Sequence, residues 1–152
     1  MSNRTGRVAE LIKAYQGQDL DAHYLAYFEC LNRQLYYEAH DVLEALWLVD
    51  RHAPNGAFYK GLIQLAGAFV HVQKNRVKPA SSLFKLARAS LNNYPPLHER
   101  LDVIAVLGMI DQWLQRLESE PFSREMLAPK MIPQLRLEAP PQICQPVERG
   151  SC

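Results

Sequence analysis

The chain has 152 residues, 48% of them apolar and 22% charged, with 17 basic against 16 acidic side chains and a net charge of +1. That balance excludes an intrinsically disordered polymer and removes the electrostatic case for nucleic acid or an acidic membrane as partner. Three cysteines, Cys30, Cys144 and Cys152, lie far apart with no CxxC pair, which argues against a zinc knuckle or a disulfide framework. Cys30, among apolar neighbours, reads as a small core residue. No apolar run approaches the ~20 residues that span a bilayer, and Met1 to Gly6 lacks the apolar core of a signal peptide, so a cytoplasmic protein is the default expectation.

Thr5 to Tyr15 predicts a first helix, with Val8, Leu11, Ile12 and Tyr15 as its buried stripe. Gly17 and Asp19 interrupt it, and Asp19 is read as the N-cap of a second helix, about Leu20 to Leu31. After the short break Asn32-Arg33-Gln34 comes a helix from about Leu35 to Asp50. Arg51 to Gly56 is a loop by composition. Ala57 to Asn75 is apolar most of the way round and therefore central; Gly61 and Gly67 within it read as packing positions where a neighbouring helix comes close. Val77 to Pro79 reads as a connector, Ala80 to Asn92 as a further helix stopped by Tyr94-Pro95-Pro96, and Leu97 to Leu117 as the last. The expected fold is all-α: a single bundle of about five helices over residues 1–120, followed by a Pro-rich, partly disordered tail over 121–152 that holds six of the ten prolines. Within that tail, Met131 to Leu137 could form a short extended piece, running across the bundle.

The helix from Leu35 organises the chemistry. Its apolar residues Tyr36, Ala39, Leu43, Leu46 and Trp47 recur at steps of three and four. His40 and Glu44, four apart, stack on one another at the edge of that face, with Asp41 one row round. On the central helix, Lys60, Gln64, His71 and Asn75 form a thin polar line. Two neighbouring helices could bring the two sets together. Two imidazoles and a carboxylate suit a divalent metal (Zn, Mn or Fe), giving His40, Glu44 and His71 as metal ligands and Gln64 and Asn75 as the residues that orient them. Asp41 or Glu38 would serve as general base toward a metal-bound water. The competing expectation is that the same residues form a closed hydrogen-bond network fixing helix register, with no metal. His23, His52 and His98 have no comparable company in the sequence.

The run Leu31-Asn32 … Tyr36-Tyr37-Glu38-Ala39-His40-Asp41-x-Leu43-Glu44-x-x-Trp47, followed by Tyr59-x-Gly61-Leu62-Ile63-Gln64-Leu65-Ala66 … His71-x-x-x-Asn75, resembles the signature of a small all-α domain-of-unknown-function family sometimes labelled a predicted metal-dependent hydrolase. The resemblance covers about Leu20 to Leu117. It implies the helical fold, and it adds Asn32 to the residues expected to orient ligands. The family usually has Glu where this chain has Asp41, one methylene shorter. Two functions are thus expected in competition: a metal-dependent hydrolase acting on a small molecule that the sequence does not name, and a non-enzymatic helical interaction module. A homodimer is compatible with both.

Overall fold

The computed structural model describes residues 4–119 and 134–139. Six helices and one two-residue strand pair are present among them: α1 (Arg4–Ala14), α2 (Ala22–Asn32), α3 (Tyr36–Val49), α4 (Gly56–Gln73), α5 (Val77–Leu91), β1 (Leu97–His98), β2 (Leu101–Asp102) and α6 (Val103–Ser119). The all-α expectation holds: each of the six helical stretches read in the sequence has its helix here, against a bundle put at about five. Cys144 and Cys152 lie outside the described residues.

The central helix is α4, as its all-round apolarity predicts; α3 packs on one side of it and α5 on another, while α2 backs α3 and α6 backs α5. Phe58, Leu62, Leu65, Ala66, Ala68 and Val72 of α4 are fully buried. The two interior glycines admit the neighbour. A Cβ on Gly61 would sit 2.9 Å from Leu91 Cγ and 3.1 Å from Ser90 Cβ, and one on Gly67 would sit 3.3 Å from Leu83 Cδ1. Close approach of α5 therefore offsets the roughly 1 kcal/mol of helix propensity that each glycine gives up. Aromatic rings fill the two ends of the core. Tyr36 stacks on Phe69, which meets Phe84 and Trp113 edge-on; at the far end Phe58 lies among Tyr24, Tyr59, Tyr94 and His98. Cys30 is fully buried, and burial, then Glu38 and Glu29, pushes its thiol up to about 11.

Several boundaries differ from the sequence reading for local reasons. Asp21, not Asp19, caps α2: its carboxylate accepts from His23 N at 2.7 Å. Val77 to Pro79 is the first turn of α5 and not a connector, since proline's missing N–H would be unpaired there anyway. After Pro95-Pro96 the chain makes a hairpin with Leu97 opposite Asp102 and His98 opposite Leu101. The last helix starts only at Val103, where Asp102 Oδ1 accepts from Ala105 N at 2.9 Å. Of the piece expected over 131–137, residues 131–133 lie outside the described residues; in 134–139, Leu135 is buried and pairs with Asn32 at the end of α2.

Candidate functional site

The signature residues divide into two sets. In the first, each side chain is engaged at a junction. Glu38, 8% exposed, accepts from Arg7 Nη1 of α1 at 2.7 Å. Asn32, the last residue of α2, pairs with one residue of the tail as a strand would: Nδ2 donates to Leu135 O at 2.7 Å and Oδ1 accepts from Leu135 N at 2.8 Å. Gln64 faces α5, where Ser90 Oγ donates to its Oε1 at 3.2 Å, one turn from the close approach at Gly61. Asn75 ends α4. Its φ is 59°, its N–H bonds to Val72 O at 3.1 Å, and Arg76 N bonds to His71 O at 2.9 Å. That pair of bonds is a Schellman terminator, in which asparagine is among the few residues that accept the left-handed position readily. Gln34 (φ 62°) ends α2 the same way, through Gln34 N to Leu31 O and Leu35 N to Cys30 O.

The second set is His40, Asp41, Glu44 and His71. Asp41 is exposed, and His40 and Glu44 are half-buried. His40 Nδ1 lies 3.2 Å from Asp41 Oδ1 on the adjacent residue. No hydrogen bond or ion pair joins His40, Glu44 and His71 to one another among the described residues. His71 is half-buried; its Nδ1 is shielded from solvent and has no partner. Burial, followed by the nearby charges of Arg76 and Lys74, lowers its pKa. Beside it Lys74 Nζ donates to Tyr37 OH and sits 4.8 Å from the centre of that ring, bracing the end of α4 against the start of α3. No group of three or more His, Cys, Asp and Glu side chains among the described residues is placed to hold a metal ion. Among the described residues, then, His40, Glu44 and His71 do not make a ligand set for a resident metal.

A second polar cluster was not expected. It surrounds the β1–β2 turn, where Glu99 (φ 49°) and Arg100 (φ 59°) are both left-handed. Two-residue hairpins require that conformation and usually meet it with Asn-Gly. Here it is held from outside. Tyr24 OH donates to Glu99 O at 2.9 Å, Arg100 Nη1 donates to Asp19 Oδ2 at 3.0 Å, and Glu138 N donates to Arg100 O at 2.7 Å. Asn55 Nδ2 donates to Glu99 Oε1 at 3.2 Å, and His98 Nε2 lies 2.7 Å from Asn55 Oδ1. A carboxylate only accepts, so the amide nitrogen of Asn55 must face Glu99 and its oxygen must face His98; His98 therefore carries its proton on Nε2. The imidazole packs on Phe58 and Tyr94 at 4.7 and 4.8 Å between ring centres. Burial, then the Glu99 charge, pushes the Tyr24 hydroxyl far above the ordinary phenol value, so it stays a donor. His98 thus does have partners. They are Asn55, Phe58 and Tyr94, and no short motif joins those positions to His98.

No curated protein and no solved structure matches the chain. Residues 24–83, which run from the first turn of α2 into α5, match the family model described as "Domain of unknown function (DUF309)". The stretch holds every residue of the expected signature from Asn32 to Asn75, and over that stretch the chain is similar to this family of unknown function.

Proposed function

We propose that this domain is a non-enzymatic helical interaction module in which most of the signature polar residues act as joints and the remainder form a contact row for a protein partner. The observation that carries the reading is the engagement of Glu38, Asn32, Gln64 and Asn75 at four different junctions: with α1, with the tail, with α5 and at the α4–α5 turn. A hydrolase site would need these groups free to assist His40, Glu44 and His71. A row along α3 supports the second half of the proposal. Asp41, Glu44 and Leu48 follow one another at helical spacing along α3, with His40 beside them, and Leu48 is 55% exposed.

Urea unfolding of three variants tests the division into joints and contact row. Arg7→Ala leaves the nearly buried Glu38 carboxylate unpaired and should lower stability by about 1–2 kcal/mol. Asn32→Ala should cost about 1 kcal/mol, from the lost pairing with Leu135. The double variant His40→Ala/Glu44→Ala, which gives up the contact between His40 and Asp41, should stay within about 0.5 kcal/mol of the parent. A loss of several kcal/mol in the double variant, with Arg7→Ala neutral, would restore the closed network and remove the contact row.

A further inference from the structure

A cavity of about 580 Å³ opens between α2, the β1–β2 turn and the 134–139 segment. Three arginines line it: Arg33 just after α2, Arg100 in the turn and Arg136 in the 134–139 segment. The one lining carboxylate is Glu29, and it is already engaged, accepting from Tyr15 OH at 2.8 Å and pairing with Arg33 Nε at 3.1 Å. Arg100 meets Asp19 through Nη1, but its Nε is shielded from solvent and has no partner. Arg136 makes no ion pair among the described residues. Arg33 and Arg100 each meet a single carboxylate, and Arg136 meets none, so the three guanidiniums around this open space keep donors to spare. An oxyanion in the cavity would accept from them and offset the excess positive charge.

We propose that this cavity is a binding site for a small phosphate monoester, held by Arg33, Arg100 and Arg136 and bridging α2, the hairpin and the tail segment. Guanidinium forks match phosphate oxygens in pairs, and forks arriving from three elements suit the three free oxygens of a phosphate better than the two of a planar carboxylate. The volume lies in the range of small-molecule sites, about 300–1,000 Å³. Nothing in this inference depends on how the α3–α4 signature is read.

The test is calorimetric titration of the full chain with inorganic phosphate and with glycerol 3-phosphate at fixed ionic strength set by chloride, alongside flotation on vesicles containing phosphatidic acid. Both soluble phosphates should bind saturably with a dissociation constant of about 1 mM or tighter. Arg136→Gln, an exposed position outside the helices, should weaken binding about tenfold, the worth of one charge-assisted hydrogen bond, and Arg33→Gln should do the same. Flotation abolished by Arg136→Gln would also support the site and would make a lipid headgroup its source of phosphate; absence of flotation alongside soluble binding assigns a free metabolite. Heat that chloride reproduces, or affinity unchanged in both arginine variants, would overturn the proposal.

Discussion

The α3–α4 seam and the β1–β2 turn use polar residues in opposite ways. Along the seam the polar groups act singly: Glu38, Gln64 and Asn75 each reach a different neighbour, and His40, Glu44 and His71 do not bond to one another among the described residues. Around the turn they act together. Tyr24, Asn55, His98 and Glu99 form one connected set, and it restrains two successive left-handed residues that are not glycine. The seam has a sequence signature without a shared network; the turn has the network without a signature. Clustering along a helix therefore does not by itself make a site. Backbone strain is better placed to reveal where a fold has been over-determined, since each left-handed residue costs about 1–2 kcal/mol unless its surroundings hold it.

The comparison is sharpened most strongly at Asn55. Asn55→Ala strips His98 Nε2 of its acceptor and Glu99 of a donor at once. Stability should fall by about 2–3 kcal/mol in urea unfolding. A change smaller than that of any single seam residue would break the contrast between a connected cluster and separate joints.

A middle-sized effect is expected at Asn75. Asn75→Val puts a β-branched residue at φ 59° and should cost about 1–2 kcal/mol, whereas Asn75→Gly should leave the thermal midpoint nearly unchanged. Equal losses from valine and glycine would mean that the side-chain amide itself matters, as a ligand-orienting role requires.

The smallest effect concerns pH. The pKa of His71 is lowered in the folded chain, so below the ordinary histidine value of 6.5 the unfolded state takes up its proton first. Stability should therefore decline as pH falls from 6.5 toward the lowered folded value, and be constant with respect to this group above 6.5. His71→Gln should flatten that part of a midpoint-against-pH curve. An unchanged slope would show that His71 is as solvated in the folded chain as in the unfolded one.

Much of this architecture is legible in the sequence. Apolar spacing finds every helix, and the all-round apolarity of 57–75 identifies the central one together with its packing glycines. The misplacements come where two signals share a residue. Asn75 continues the polar line of α4 in a helical projection, yet an asparagine closing a helix before a charged residue is also a left-handed terminator, and that role prevailed. Pro79 suggests a break but fits a first turn. The partners of Glu38 and Asn32 were out of reach because Arg7 is 31 positions and Leu135 is 103 positions away, and no local pattern announces either contact. The hairpin was invisible for the same reason, as Glu99-Arg100 lacks the Asn-Gly signal and takes its conformation from Tyr24, Asn55 and Asp19.

The account stands or falls on whether the signature residues serve the fold and its surface or a metal. Thermal unfolding of the parent and of His40→Ala/Glu44→Ala, each with and without excess zinc, addresses that in one experiment, because a ligand that binds only the native state must raise its midpoint. The account predicts that zinc moves neither protein's curve. A rise of several degrees in the parent that the double variant does not share would contradict it.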